Sequence, residues 1–168
     1  IKAKFPGKKI VFSLGRMTYY KGFDVLVEAA CYLDETTVVL IGGKGELLDQ
    51  LKAKARSLGV HDKVHFLGRI EDEELPGYYE AADVFCLPSI MRSEAFGLVM
   101  VEAMSYRKPV VATRIPGSGV TWVNVHGETG LNAVPSDPLD LARSLKELLH
   151  DSERAKRLGE GGRRRYEQ

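Results

Sequence analysis

Two glutamates in one short stretch could grip hydroxyl groups on either side of an anion. Glu94 and Glu102 stand eight positions apart in Ser93-Glu94-Ala95-Phe96-Gly97-Leu98-Val99-Met100-Val101-Glu102-Ala103-Met104. Phe96 to Tyr106 reads as a helix, which puts Glu94 at its start and Glu102 about two turns on, roughly 12 Å away by helical rise. A helix start at that place leaves the amides of Ala95, Phe96, Gly97 and Leu98 unpaired, with positive dipole beside them. Phosphate oxygens suit such a place. Glu102 stands among Phe96, Val99, Met100, Ala103 and Met104. A carboxylate buried on that face is costly unless hydroxyls donate to it, and the vicinal hydroxyls of a ribose would do so. The bland alternative is one carboxylate that complements the dipole and a second that is simply exposed.

Arg16 and Lys21 lie five residues apart in Gly15-Arg16-Met17-Thr18-Tyr19-Tyr20-Lys21-Gly22. Both could reach one diphosphate, the guanidinium as a fork and the ammonium as a point charge. They could equally be two solvated loop cations. Gly42-Gly43-Lys44-Gly45-Glu46 offers backbone amides to an anion or a close approach to a flat ligand, although glycines also simply make tight turns. The dinucleotide fingerprint is not completed, because Leu48 stands where its last glycine belongs, and this counts against an NAD domain. The four histidines (His61, His65, His126, His150) have no metal-ligand spacing, and there is no Asp-x-Asp pair for a divalent ion. Neither a Gly-x-Ser-x-Gly elbow nor a Walker loop occurs. Arg163-Arg164-Arg165 reads as a solvated helix face that could at most touch a membrane surface.

Each of these stretches follows a short apolar run. Lys9–Leu14, Thr37–Ile41, Val64–Leu67, Asp83–Leu87, Pro109–Ala112 and a short segment near Gly130–Asn132 read as strands. They are apolar throughout rather than alternating, which means burial on both faces and a parallel sheet. Between them run helical patterns: Phe23 to Leu33, Leu47 to Leu58, Asp72 to Ala82 with Asp72 as its cap, and Phe96 to Tyr106. Asp137-Pro138 opens a further helix and Asp151-Ser152 the last. The fold expected is α/β: a single Rossmann-like domain over residues 1–168, with a doubly wound parallel sheet of about six strands and helices on both faces. Its 168 residues, 44% hydrophobic and 28% charged, suit one soluble domain with its own core. A formal net charge of +1 gives no support for binding nucleic acid. Cys31 and Cys86 both sit in apolar runs and are expected to be buried, reduced thiols. With no apolar stretch long enough to span a bilayer and no signal-peptide pattern, a cytoplasmic location is expected.

In this order the segments resemble the C-terminal, donor-binding domain of family 4 retaining glycosyltransferases of the GT-B type. The marks are Leu14-Gly15-Arg16 with Lys21-Gly22, Gly42-Gly43-Lys44-Gly45-Glu46, Phe66-Leu67-Gly68-Arg69, Glu94-Ala95-Phe96-Gly97 with Glu102-Ala103-Met104, Pro109-Val110-Val111-Ala112-Thr113, and Thr129-Gly130-Leu131. The resemblance implies that Arg16 and Lys21 hold a diphosphate, Glu94 the donor sugar and Glu102 the ribose. It places Gly15, Gly43 and the amides of Ala95, Phe96, Gly97 and Leu98 in the nucleotide-sugar pocket. The base would lie near Gly43 and against the backbone of Arg69 and Ile70, with Asp72 a further candidate reader. The implied ligand is a nucleotide sugar such as a UDP- or GDP-hexose, with no cofactor and no metal. The implied acceptor, a glycan or lipid-linked sugar in polysaccharide or glycoconjugate synthesis, would be bound by a first Rossmann-like domain that these residues do not supply. The chain alone is then expected to transfer nothing, and the parent could contact the inner face of a membrane. A non-catalytic nucleotide-sugar module, or another GT-B-shaped enzyme such as an epimerase or a phosphorylase, is the alternative; no pyridoxal-lysine motif supports a phosphorylase.

Overall fold

The strands form where β-branched and aromatic residues can be buried from both sides. In the computed structural model, which describes residues 1–168, they are β1 (Lys9–Leu14), β2 (Thr37–Gly42), β3 (Val64–Gly68), β4 (Val84–Leu87), β5 (Val110–Thr113) and β6 (Gly130–Ala133). They make one sheet in the order β3-β2-β1-β4-β5-β6, and every pairing is parallel. The chain winds outward from β1 to β3, returns to the centre and winds outward again to β6. That reversal opens a crevice at the carboxyl ends of β1 and β4, the place where such sheets bind ligands.

Helices cover both faces, as expected: α1 (Phe23–Ala29), α2 (Leu48–Ser57), α3 (Leu75–Ala81), α4 (Leu98–Ser105), α5 (Val120–Val123), α6 (Pro138–His150) and α7 (Ser152–Tyr166). Leu26, Leu51 and Leu145 from α1, α2 and α6 join Val11, Val39 and Val84 in the core on one side. Tyr79, Met100 and Val120 from α3, α4 and α5 join Phe12, Phe85 and Ala112 in the core on the other. The Asp137 and Asp151 side chains accept from the amides of Asp140 and Arg154, so both expected caps form.

Five local expectations are corrected. The first helix stops at Ala29 and tightens into a 3-10 turn over Ala30–Tyr32, where Ala30 and Leu33 take the inward positions. Cys31 is thereby turned out to solvent, and only Cys86 is buried; both thiols are free. Asp72 caps nothing. The Glu71 carbonyl accepts from both Glu74 and Leu75, so a backbone turn leads into α3 and Pro76 falls in its first turn. The loop after β5 carries a short helix, α5, that the Gly/Pro-rich pattern concealed. Finally, two of the three consecutive arginines are not solvated ornaments. Arg163 donates to the Ser105 carbonyl at 2.7 Å, and Arg165 donates to those of Val123, at 3.1 Å, and Trp122. These carbonyls close α4 and α5, where a helix end favours a cation.

The loops after β1 and β2 are sewn together by backbone. Gly15 N–H donates to Gly42, Met17 to Lys44, and Leu47 back to Met17. Gly43 makes the closest approach. It has φ +120°, and a Cβ there would stand 1.9 Å from the Gly15 carbonyl oxygen. Gly43→Ala is expected to destabilise the chain by roughly 2–4 kcal/mol, combining backbone strain with steric overlap. Urea unfolding measures this, and a loss under about 1 kcal/mol would mean that the two loops separate freely.

Candidate functional site

Lys21 ends a 3-10 turn, Tyr19–Lys21, that follows β1. Its ammonium crosses the crevice to Glu94 in the loop after β4, with Nζ 2.6 Å from Oε2. Ser89 donates to the same oxygen at 2.7 Å. The two charged side chains are only 12% and 8% exposed, so this is a nearly buried ion pair. No protein group donates to the other oxygen of Glu94. Arg16 differs from Lys21: it is exposed and makes no ion pair or side-chain hydrogen bond. The structure thus joins Lys21 to Glu94 and leaves Arg16 as the free cation of the β1 loop.

The loop holding Glu94 is pinned on both sides. Ile90 N–H donates to the Tyr20 carbonyl at 2.8 Å, which ties it to the β1 loop. On the β5 side Thr113 donates to the Ser89 carbonyl, Ser118 to that of Glu94, and Gly119 N–H to that of Ala95 at 2.8 Å. A trans peptide points its C=O and N–H in opposite directions. With the carbonyls of Glu94 and Ala95 taken by the β5 loop, the amides of Ala95 and Phe96 must face away from it.

Gly97 then takes φ +74°, where a side chain is strained, and a Cβ would also press at 2.7 Å on the ends of Leu87 and Met100. For this reason α4 begins at Leu98, two residues later than expected, and Glu94 is not on the helix. The helical-rise spacing between the two glutamates therefore does not apply. The free amides do stand where the sequence put them. Those of Ala95, Phe96, Gly97, Leu98 and Val99 donate to nothing in the protein. Successive amides around a left-handed residue form the concavity that takes anions. The Phe96 ring turns aside to Trp122, with centroids 5.9 Å apart, so this residue offers the loop its backbone.

Glu102 is a correction. It is exposed, not buried, because Met100, Ala103 and Met104 form the inward stripe of α4 and leave position 102 off it. Its Oε2 accepts from the hydroxyl of Tyr79 at 2.7 Å. Burial first, and then the hydrogen bond to Glu102, pushes the Tyr79 phenol far above its ordinary range. Tyr79 and Ser89 escaped the sequence reading: Tyr79 reads as an ordinary core aromatic, and Ser89 as a loop residue after a strand. At the end of β3, Arg69 is exposed and pairs with Glu71 at 3.3 Å, and the Ile70 side chain packs onto Gly42. Gly43 N–H donates to Gly68, while the amides of Lys44, Gly45 and Glu46 are free. Gly15, Arg16, Lys21, Gly43 and the run from Glu94 to Leu98 thus all follow carboxyl ends of the central strands, where contacts join Gly15 to Gly43 and Lys21 to Glu94, with Arg69 and Ile70 after β3 and Glu102 a turn along α4. No group of three or more His, Cys, Asp or Glu side chains is placed to hold a metal ion, and no helix is long and apolar enough to cross a membrane.

Removing one partner of a buried pair strands the other charge. Lys21→Met should therefore destabilise the chain by about 3 kcal/mol, and Lys21→Met combined with Glu94→Gln should recover a large part of this. A double-mutant cycle in urea checks it, and additive losses would show the pair to be uncoupled.

The family model described as "Glycosyl transferases group 1" matches residues 1–165. The D-rhamnosyltransferase WbpZ of Pseudomonas aeruginosa is 36% identical over 162 residues, which are 96% of this chain and 42% of that protein. Mannosylfructose-phosphate synthase of Agrobacterium fabrum is 38% identical over 152 residues, 84% of this chain and 32% of its own. The chain thus spans less than half the length of these relatives. Among solved structures, sucrose-phosphate synthase of Thermosynechococcus elongatus superposes with a TM-score of 0.87 at 30% identity, over 99% of this chain and 42% of that one. HepE of Anabaena, in complex with UDP and glucose, superposes at 0.89 over 98% and 45%, and at 23% identity shares the fold alone. The order of motifs, the sheet and the family match over residues 1–165 agree, and the chain belongs to the group 1 glycosyl transferases.

Proposed function

We propose that this chain binds a nucleoside-diphosphate sugar, such as a UDP- or GDP-hexose, as the donor half of a retaining, metal-independent glycosyltransferase. The observation that carries this reading is the row of five free amides beside the unpaired oxygen of Glu94. The amides and Arg16 suit the diphosphate. The free oxygen of Glu94 suits a sugar hydroxyl, and Lys21 holds that carboxylate and faces the phosphates. Glu102 suits the ribose, and Gly43 with the backbone of Arg69 and Ile70 the base. HepE, with the same fold, holds UDP-glucose, which supports a nucleotide sugar as the ligand.

In the intact enzyme the anomeric carbon would lose its nucleoside diphosphate and bond to an acceptor hydroxyl on the same face, through an oxocarbenium-like transition state. The leaving diphosphate gains negative charge at that moment. Fixed amides and Arg16 oppose it without reorganisation, the kind of stabilisation that dominates many active sites. A second Rossmann-like domain supplies the acceptor, in polysaccharide or glycoconjugate synthesis. Without it the 168-residue chain transfers no sugar, since orienting both reactants provides a large share of the barrier reduction.

A thermal-shift screen against UDP-, GDP-, ADP- and dTDP-sugars tests the reading. A selective ligand at 100 times its dissociation constant adds about 2.7 kcal/mol, and it should do so equally with magnesium or with chelator. A requirement for a divalent ion overturns the roles of Arg16 and the amides. Calorimetry then separates the glutamates. Glu102→Ala should weaken free nucleoside diphosphate and nucleotide sugar alike, by about 1.5–3 kcal/mol. Glu94→Ala should weaken only the nucleotide sugar and leave the free diphosphate unchanged or tighter, because Lys21 is released to it. Equal weakening of both ligands by Glu94→Ala would make Glu94 a support for the loop.

A further inference from the structure

The Tyr79 ring is 1% exposed and closed in by aromatics: Tyr106 stacked at 5.3 Å, Phe12 edge-on at 5.3 Å and Phe85 at 5.7 Å. Its hydroxyl emerges only against α4. Two acceptors stand there, the Val99 carbonyl at 3.5 Å and the Glu102 carboxylate at 2.7 Å, and distance gives the proton to Glu102. No Lys, Arg or His pairs with Glu102. The carboxylate therefore has one oxygen held by a rigid, buried, neutral donor and one with no protein partner, on an otherwise exposed side chain.

We propose that Tyr79 is a positioning residue, whose buried hydroxyl holds one oxygen of Glu102 so that the other is presented to the vicinal 2′- and 3′-hydroxyls of a ribose. This rests on the placement of Glu102 at the ribose in the reading above. An exposed glutamate otherwise samples several rotamers, and a ligand must order them at its own expense. The phenol does that ordering before the ligand arrives. A carboxylate oxygen that already accepts one hydrogen bond keeps a further lone pair, so the diol can bridge both oxygens. Because burial holds the phenol well above its usual range, the proton stays on Tyr79 throughout the neutral range and the donor never switches off. The consequence is a preference for ribonucleotides set from inside the core, by a residue that never touches the ligand.

Calorimetry on the 168-residue chain decides the matter, using UDP, GDP and their 2′,3′-dideoxy counterparts with the wild type, Tyr79→Phe, Glu102→Ala and the double variant. Tyr79→Phe keeps the ring and should weaken the ribonucleotide that binds by about three- to tenfold, yet leave the dideoxy compound unchanged. The double variant should bind no more weakly than Glu102→Ala. Equal weakening of both compounds, or unchanged affinity with a lower Tm, overturns the proposal and makes the hydroxyl a support for the core. If Glu102→Ala itself fails to distinguish the ribonucleotide from its dideoxy form, the ribose placement of Glu102 is what falls. Absence of binding by all four compounds overturns both. Glu102→Gln gives a second answer that does not depend on Tyr79→Phe folding. A phenol that pins the amide oxygen turns the NH2, which only donates, to where the free carboxylate oxygen accepted from the diol, so Gln should bind ribonucleotide more weakly than the wild type, though no more weakly than Ala. A Gln variant that keeps wild-type affinity means that the side chain rotates freely and is not pinned.

Discussion

The ion pair between Lys21 and Glu94 joins the two halves of the sheet, and the position of the Glu94 carboxylate at the switch point depends on it. Lys21 belongs to the half that winds from β1 toward β3, and Glu94 to the half that winds from β4 toward β6. Desolvating two charges costs several kcal/mol per ion, so the pair stands only because its 2.6 Å contact and the Ser89 hydroxyl offset that cost. A buried pair of this kind adds little net stability compared with a hydrophobic contact. What it adds is position, because neither side chain can leave without stranding its partner. The Glu94 carboxylate is thereby fixed at the switch point.

The row of free amides follows from what surrounds that carboxylate. Ser118 and Gly119 take the carbonyls of Glu94 and Ala95, and planarity turns the next two amides the other way. Gly97 carries the turn on into α4. Three loops, after β1, β4 and β5, therefore act as one rigid unit, although each alone is a short irregular segment. This is also why the proposed anion site does not rest on the helix dipole alone. Most of the free donors precede the helix, and local hydrogen bonding aims them.

The strands were legible because each is a continuous run such as Val38-Val39-Leu40-Ile41, and burial on both faces leaves a parallel sheet as the natural solution. The two caps, Asp137 and Asp151, were legible because their signal is local. What escaped depended on partners distant in sequence. Arg163 and Arg165 are tied to carbonyls 58 and 42 positions away, which no helical pattern reveals. Glu102 looked buried because its neighbours are apolar, yet helical phase sets it off their stripe, and its partner Tyr79 lies 23 positions earlier. The start of α4 was misplaced because Gly97 takes a left-handed turn, φ +74°, just before the helix, and a glycine inside an apolar run does not announce one. Of the candidate site, the residue types and their loops could be read, but the pairing of Lys21 with Glu94 could not.

The two glutamates are held in opposite ways, and electrostatics gives the reason. A crevice proposed to take up a diphosphate has to remain positive, although the same proposal needs a carboxylate there to accept from a sugar. Burying Glu94 without a counter-charge would set a negative charge in low dielectric beside the proposed phosphate site, where it would act at full strength. Lys21 cancels it, so Arg16 and the free amides keep the local sign positive. Glu102 needs no such cation because it is exposed, where water and salt screen its charge within about 8–10 Å. A cation placed on it would also compete with the hydroxyls it is proposed to receive. A neutral donor does not, and the buried phenol of Tyr79 is the neutral donor that α3 brings within reach. One carboxylate is thus neutralised and the other merely oriented, and in each case the partner matches the solvent that the side chain sees.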